Sequence, residues 1–450
     1  MKGVINVMLR RLRKVVSLII ACLVGVSIFS IIGFSAEKIK LRVAVDFPEW
    51  QIETRKYAME KKYNWSKKFP NVEIGWEIIP TDYTQKLLTE IATGNPPDVF
   101  IVNEGNYLDM ISRGTILDLS PFIREDRAKG DTRIIDYQAR IAPKHYQALY
   151  VNGKIYGLTW FGTPGNLALI ANDNRFKEVG LSFPKGSWTW QQYLEACKKL
   201  TEDLNGDGIP DRYGLILETW IGRFWPYFWQ AGGEMWNRER TKTLINSPEA
   251  IEAFQFIQDL VYKYRIAQIS GGLFDAEAKL ANGVAGMFWT GTWSLGRLEA
   301  SGMEWSAHRL PHYRKYADVG YAALFSISSK TKYPRESWEV VKHFAGPEEF
   351  WARQIDQLGK GTSYDSKVLS TDLIAYTASM KAPKSWRERP IWSQELKITR
   401  SLYEFLVPQW DKIQEKVLNP LFELLLLNKI SAKDMCNDAE KKINELLLEK

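Results

Sequence analysis

The stretch ATGNPPDVFIVN, residues 92–103, decides the fold class of this chain. Residues 83–92 lead into it and space their apolar side chains as an amphipathic helix does. Gly94 is typical of a helix C-terminus, and the two prolines that follow at 96 and 97 prevent the helix from continuing. Val99–Val102 is short and wholly apolar, as expected of a strand buried on both faces of a parallel sheet. The stretch therefore predicts one helix–strand unit of an α/β protein.

The segments before this stretch show the same alternation. Leu41–Val45 has the pattern of a strand, a helical pattern runs to Phe69, and Val72–Ile79 alternates again. Five alternating elements within about 60 residues predict βαβ units around a parallel sheet. Asn103 and Glu104 follow the apolar run at its carboxyl end, which is the edge where open α/β sheets bind ligands.

Local signals also place elements further along the chain. Asn152-Gly153 predicts a tight hairpin, Thr189 is suited to be the N-cap of a helix, and Ser247-Pro248 opens another helix. Short apolar runs predict three more strands, at 167–171, 285–289 and 321–328.

The first 36 residues have the pattern of an export signal. Five basic residues precede an uncharged and mostly apolar run from Val15 to Phe34. That run could be cleaved near residues 33–36, or it could stay as a membrane anchor, since about 20 apolar residues span a bilayer. Ile19–Cys22 also resembles a lipobox that would lipidate Cys22. All three alternatives place residues 37–450 outside the cytoplasm, in the periplasm or at the outer face of the cytoplasmic membrane.

Charge and cysteine content exclude two classes of protein. Without residues 1–36 the net charge falls from +7 to +2, so electrostatics give no support for nucleic-acid binding. Cys197 and Cys436 are the cysteines that remain, and both lie in helical patterns. We expect buried thiols there, with a single disulfide as the alternative, and a disulfide scaffold is excluded. Roughly 410 residues predict two domains.

Nine pieces of the chain, in order and spacing, resemble the extracellular solute-binding proteins of ABC sugar importers, the maltose-binding-protein class. The pieces are ATGNPPDV (92–99), GTILDLSPF (114–122), VNGKIYGL (151–158), LIANDNRFKEVGL (169–181), WTWQQYLEACKKLTEDLNGDGIPDRYGL (188–215), the glycine pair at 232–233, SPEAIEAFQFIQDL (247–260), LANGVAGMFWTGTWSLGRL (280–298) and SISSKTKYPRESWEVVKHFAG (326–346).

This resemblance implies an α/β, periplasmic-binding-protein-like fold of type II, in which two lobes share a hinge that the chain crosses more than once. The first lobe would comprise residues 37–165 and 286–325. The second would comprise 166–285 and 326–450, with a helix-rich C-terminus. The crossings would lie near Asn166, Gly286 and Ser326. The resemblance also implies a monomer without enzymatic activity that delivers a sugar or oligosaccharide to membrane ABC permease subunits.

Aromatic side chains are abundant, with 18 Trp, 20 Tyr and 20 Phe. An aromatic plane covers the apolar face of a sugar ring, while carboxylates and amides bind its hydroxyls. The tryptophans that fall where the family has its cleft are Trp50, Trp160, Trp220, Trp225, Trp229, Trp289, Trp293 and Trp392. Each could instead serve packing. For Trp160, Trp225 and Trp293 a loop context beside Gly or Pro favours exposure to the cleft.

Polar candidates for ligand binding accompany these tryptophans. Asn103 and Glu104 come first, with Asp46 and Glu49 after the first strand; strand-end polarity or helix capping is the alternative for each. Tyr83 lies where the family often offers a contact from the first lobe. Tyr364 is a candidate from the second lobe.

The loop at 203–211 resembles the first part of a calcium-binding loop. Asp203, Asn205, Asp207, Ile209 and Asp211 stand at its positions 1, 3, 5, 7 and 9, and Gly208 at position 6. Position 12 is Gly214, so the usual bidentate glutamate is missing unless Glu218 or water replaces it. A structural Ca²⁺ is therefore one hypothesis and a polar turn is the alternative. No other cofactor is expected.

A secreted glycoside hydrolase with a Trp-lined cleft is the alternative function, because it needs similar aromatic residues beside two carboxylates. The sequence lacks the GxSxG, HExxH and P-loop motifs, and its four histidines lack ligand spacing. The order of the nine pieces favours a binding protein that leaves its sugar unaltered.

Overall fold

The computed structural model describes residues 38–46, 56, 59–60, 64–79, 82–131, 143–159, 165–183, 186–291, 294–345 and 399–449. The chain divides into two compact units, residues 1–40 with 65–73 and residues 41–64 with 74–450. In the first unit, helix α1 (Trp65–Lys68) precedes Phe69, whose ring lies 4.5 Å from that of Trp65. The export segment and residues 160–164, which precede the expected crossing near Asn166, lie outside the described residues.

The first sheet has five strands in the order β2-β1-β3-β13-β6. β1 pairs in parallel with β3, whereas β13 is antiparallel to both β3 and β6. The strands are β1 (Ile39–Val45), β2 (Val72–Ile78), β3 (Val99–Val102), β6 (Leu158–Thr159) and β13 (Leu324–Ile327).

The stretch that decides the fold class folds as its sequence predicts. Helix α2 (Tyr83–Ala92) ends at the C-cap Thr93, and Gly94 has a left-handed φ of 81°. All four residues of β3 are buried, because β1 and β13 flank it in the sheet. This strand is therefore the centre of the first sheet.

The second sheet has seven strands. Six follow the order β14-β12-β7-β10-β8-β9, and β11 also pairs with β7. The strands are β7 (Gly165–Asn172), β8 (Tyr213–Glu218), β9 (Ala267–Ser270), β10 (Ala285–Gly291), β11 (Trp305–His308), β12 (Val319–Tyr321) and β14 (Arg400–Ser401). β8, β9 and β10 are parallel, and β10 is antiparallel to β7.

β10, β11 and β12 belong to the second sheet, whereas the resemblance implied that residues 286–325 join residues 37–165. β10 pairs with β7 so that Phe288 lies opposite Ile170, and both side chains enter one buried core with Ile216. β11 and β12 pair with the other edge of β7. An apolar strand fits either sheet, so its local pattern does not determine its partner.

The single strand predicted over 321–328 is wrong, because the chain forms two strands there. β12 ends at Tyr321 in the second sheet and β13 begins at Leu324 in the first. The chain thus crosses between the sheets from Thr159 to Gly165, from Tyr321 to Leu324, and again between Ile327 and Arg400. We call the two residues between Tyr321 and Leu324 the central crossing.

Helices and one hairpin complete the described part. The hairpin pairs β4 (Tyr150–Val151) with β5 (Lys154–Ile155) around Asn152-Gly153, as predicted. The helices are α3 (Glu104–Ser112), α4 (Ser120–Ala128), α5 (Pro143–Ala148), α6 (Asp173–Glu178), α7 (Trp190–Leu200), α8 (Trp225–Gln230), α9 (Pro248–Tyr262), α10 (Leu273–Ala281), α11 (Leu295–Ala300), α12 (Pro334–Ala345), α13 (Trp410–Ile413), α14 (Asn419–Leu426) and α15 (Ala432–Leu447). Short 3₁₀ turns span Ile221–Phe224 and Leu402–Phe405, and a π-helical turn spans Gln414–Leu418.

Several local predictions are confirmed. Thr189 caps α7 in a capping box with Gln192, and the Ser247 side chain caps α9. Cys197 and Cys436 are buried free thiols. Within the residues that the structure describes, no helix is long and apolar enough to cross a membrane.

Candidate functional site

Glu104 and Tyr403 hold the central crossing from two sides. Glu104 begins α3, separated from β3 by one residue, and its Oε1 accepts a hydrogen bond of 2.6 Å from the backbone N–H of Ala322. The Tyr403 hydroxyl donates to the carbonyl oxygen of the same residue at 2.8 Å. Both backbone groups of Ala322 are thus satisfied by side chains, so the crossing has a defined conformation.

Desolvation changes the acidity of Glu104. Desolvation by the surrounding residues raises its pKa to about 7, and the backbone hydrogen bonds offset only part of this effect. The carboxyl group can therefore gain or lose a proton near neutral pH while it contacts the crossing.

His145 connects the other two crossings. Its Nε2 lies 3.1 Å from Oγ1 of Thr159, the last residue before the chain leaves the first sheet. Its Nδ1 lies 2.8 Å from Oγ of Ser401 in β14 of the second sheet. Burial lowers the pKa of His145 to about 3, so the ring is neutral and bonds one hydroxyl as donor and the other as acceptor.

A carboxylate and two tryptophans meet at the carboxyl end of β8. Glu218 ends the strand, and the 3₁₀ turn that follows presents Arg223, whose Nε donates to Glu218 Oε2. Arg223 Nη1 also donates to the backbone oxygen of Trp289 at 2.9 Å. The Trp220 ring lies 5.7 Å from the same guanidinium. This end of the parallel strands is where a ligand site is expected in α/β sheets.

Glu218, Arg223 and Trp289 border a small cavity of about 10 Å³, which is space for one water molecule. The Trp289 ring stacks on Tyr227 at 4.1 Å with an interplanar angle of 8°, so one aromatic wall is rigid. The lining consists of Ile216, Leu217, Glu218, Arg223, Phe224, Tyr227, Phe288 and Trp289. A carboxylate beside aromatic planes can bind hydroxyl groups and the C–H face of a sugar together.

Tyr321 connects this cavity region with the central crossing. Its hydroxyl donates to the Gly222 carbonyl in the 3₁₀ turn, and its ring lies 5.0 Å from that of Trp220. Burial raises the pKa of Tyr321 well above its ordinary value, and the nearby charges of Glu104 and Glu218 act in the same direction. The structure thus brings Glu104, Trp220 and Trp289 of the sequence candidates into one region.

Other sequence candidates lie elsewhere. Tyr83 is buried, and its hydroxyl accepts from the N–H of Ile101 at 2.8 Å and lies 3.1 Å from the Ala44 and Ile101 carbonyl oxygens. It therefore joins β1 to β3 rather than facing a ligand. Asn103 is a partly buried N-cap residue, and Asp46 is exposed just after β1. Glu49, Trp50, Trp160, Trp293, Tyr364 and Trp392 lie outside the described residues.

The expected exposure of Trp225 is wrong. The residue begins α8, with Pro226 in the first turn, and only 1% of its surface is exposed. Its ring packs against Phe405 and Trp410 at 5.0 and 6.2 Å. Trp229 on the same helix is fully buried beside Phe405. Proline here initiates a buried helix instead of marking an open loop.

The loop at 203–211 is exposed and held by its own side chains. Asp203 accepts hydrogen bonds from the backbone N–H groups of Gly206 and Gly208, and Asp207 from that of Ile209. Within the described ranges, no three His, Cys, Asp or Glu side chains are grouped as a metal site. Glu218 pairs with Arg223 and so does not complete the loop.

Sequence reasoning missed Glu218, Arg223, Tyr321, Tyr403 and His145. One available signal was the position of Glu218, which follows the apolar run at 215–217 just as Glu104 follows β3. The partners of His145 and Tyr403 are up to 256 residues away in sequence, so no local signal marks them.

Comparisons with known proteins agree with this architecture. The profile of the family described as bacterial extracellular solute-binding protein matches residues 49–349. A putative binding protein of Brucella abortus is 23% identical over 393 residues, which cover 84% of this chain and 90% of that protein.

Solved structures show the same fold. An ABC substrate-binding protein from Listeria monocytogenes, in complex with cycloalternan, is 23% identical with a TM-score of 0.74, covering 92% of this chain and 100% of that one. A maltose/maltodextrin-binding domain from Bdellovibrio bacteriovorus, bound to maltotriose, is 16% identical with a TM-score of 0.68, covering 91% and 100%. The predicted fold class, α/β and periplasmic-binding-protein-like, is confirmed.

Proposed function

The chain belongs to the family of bacterial extracellular solute-binding proteins, and we propose that its solute is a sugar or oligosaccharide that it delivers to the subunits of a membrane ABC permease. One observation carries the choice of ligand. The Glu218 carboxylate lies at the carboxyl end of β8 and borders a cavity with Trp289, and the Trp220 ring lies beside its partner Arg223. The similar proteins with bound cycloalternan and maltotriose support the same class of ligand.

In this proposal the two lobes follow the two sheets. One lobe contains β1–β6 and β13, the other contains β7–β12 and β14, and the three crossings form the hinge. Contacts with both lobes would favour a closed form when sugar is present, because a ligand shifts an equilibrium only by its differential affinity for two states. The hydrogen bonds of Ala322 and His145 lie at the crossings, so such a motion would strain them.

The proposed role is capture and release without chemistry, rather than glycoside hydrolysis. We further propose that the protein acts as a monomer, in the periplasm or at the outer face of the cytoplasmic membrane. The family description as extracellular supports an exported location. The Asp203–Asp211 loop stays a hypothesis for structural Ca²⁺, and no nucleic-acid partner is proposed.

A glycan panel tests the function directly. Thermal-shift measurements on residues 37–450 should identify sugars that raise the melting temperature, and calorimetry should then give saturable one-site binding. A reducing-sugar release assay on the same samples should show no product. Release of sugar would favour the hydrolase, and a panel without any binder would contradict the choice of carbohydrate.

A further inference from the structure

We propose that Arg223 is a positioning residue for the ligand, which holds the Glu218 carboxylate in the orientation that binds sugar hydroxyls. This inference rests on the proposed function and names the pair of residues on which the affinity depends. The two side chains belong to one short segment, since Glu218 ends β8 and Arg223 lies in the 3₁₀ turn after it.

The guanidinium of Arg223 is fixed from several directions. It donates to Glu218 Oε2 through Nε and to the Trp289 backbone oxygen through Nη1. The Phe288 ring centre lies 5.0 Å from its Cζ, which adds a cation–π contact. Only 4% of Arg223 is exposed. A planar donor group held by two acceptors and an aromatic face has little freedom to reorient.

The turn that carries Arg223 is itself fixed. Tyr321 donates its hydroxyl hydrogen to the Gly222 carbonyl. Gly222 has no side chain, and a Cβ there would collide with the ring of Trp220. The ring can therefore lie against the turn, beside the guanidinium. The 3₁₀ turn, Arg223 and Trp220 therefore form one preorganised group.

Among the residues that the structure describes, Glu218 is held through one of its oxygens. Oε2 accepts the bond from Arg223, and the structure gives Oε1 no hydrogen-bond partner among the residues it describes. The side chain is 11% exposed and borders the cavity beside Trp289. A carboxylate with one oxygen fixed and the other open can accept a hydroxyl hydrogen from a ligand in a defined direction.

Packing alone does not require a charged pair here. Apolar side chains of similar volume in place of a buried ion pair are often neutral or stabilising. A second buried arginine provides a matched comparison. Arg175 bonds to Glu202 at 2.7 Å and its side chain is 3% exposed. Glu202 bridges to Arg212, just before β8 begins, so this pair lies at the other end of a strand about 17 Å long.

The test measures sugar affinity by calorimetry on folded protein, with maltotriose, cellotriose, xylotriose and cycloalternan as probes. Arg223→Gln should weaken binding of the best probe by about tenfold to hundredfold, the value of a charge-assisted hydrogen bond. Arg223→Lys keeps the charge without the planar fork and should weaken it less. Arg175→Gln should lower the melting temperature and leave affinity unchanged.

A double-mutant cycle separates positioning from structure. Glu218→Gln should weaken binding about as much as Arg223→Gln does, and adding Arg223→Gln to it should change affinity less than about twofold. If the losses in affinity from Glu218→Gln and Arg223→Gln are additive, or if both Arg223 variants keep full affinity, the positioning role is wrong. Sugar binding by the wild type would still support the proposed function in that case. A wild type that binds no probe would overturn both.

Discussion

The backbone N–H of Ala322 donates a 2.6 Å hydrogen bond to Oε1 of Glu104, which joins the central crossing to the first turn of α3. The two residues are 218 positions apart in sequence, so the contact forms only when the two sheets have assembled. Its acceptor is a carboxyl group whose pKa is raised to about 7 by desolvation. The strength of this contact therefore depends on pH in the neutral range.

Glutamine in place of Glu104 should remove one part of the pH dependence of stability. The unfolded chain releases this proton near pH 4.5 and the folded chain near 7, so the folded state binds more protons between these values. The free energy of unfolding of the wild type should fall as pH rises through this window, by at most about 3 kcal/mol from this residue. Urea denaturation at several pH values measures the slope. An equally steep fall in Glu104→Gln would contradict the assignment.

The His145→Gln variant should be less sensitive to acid. Folded His145 stays neutral until about pH 3, whereas the unfolded chain takes up the proton near 6.5. Acid thus favours the unfolded wild type, which should lose about 2 kcal/mol of stability from this residue between pH 6.5 and 5. Glutamine can bond to both hydroxyls without titrating. Parallel denaturation at the two pH values measures this loss, and equal losses in the two proteins would show that His145 is not the cause.

Alanine substitutions of two neighbouring tryptophans should have different effects, one on sugar affinity and the other on the free energy of unfolding. Trp220→Ala removes a partly exposed ring beside Arg223, so sugar affinity should fall about tenfold with a small change in stability. Trp225→Ala leaves a hole in the core and should cost about 3–5 kcal/mol of stability, with affinity retained in the folded fraction. Calorimetry and urea denaturation on both variants give the comparison. The reverse result would exclude Trp220 from the site.

Calcium should raise the melting temperature if the loop at 203–211 binds it. Asp203 and Asp207 would supply carboxylate oxygens that already accept hydrogen bonds from the loop backbone. Without the glutamate at position 12, the shift should need millimolar Ca²⁺, a regime typical of weak extracellular sites. Asp203→Asn keeps an acceptor oxygen, lowers the charge and should abolish the shift. If neither calcium nor a chelator changes the melting temperature, the hypothesis of a calcium site in this loop is wrong.

Local sequence predicted several turns and helix ends well because their signals are local. The stop at Gly94, the hairpin at Asn152-Gly153 and the cap at Thr189 each depend on residues within four positions. The sheet to which β10 belongs could not be predicted in this way. Its seven residues are buried on both faces, and such a strand fits the interior of either sheet.

Burial of tryptophan was the weakest prediction for the site. Trp220 and Trp225 lie five residues apart, yet the first is partly exposed beside Arg223 and the second packs on Phe405 and Trp410 from the C-terminal segment. That segment lies about 180 residues away along the chain, so its position decides which ring is covered. Sequence patterns carry no information on this until the long-range pairing is known.

The position of Ser401 determines when folding can finish. Its hydroxyl is the partner of His145, and β14 covers the edge of β12. When only the first 345 residues have left the ribosome, the edge of β12 has no β14 to pair with and the His145 ring lacks its Ser401 partner. The nascent polypeptide should therefore complete these contacts only after residue 401 has left the ribosome.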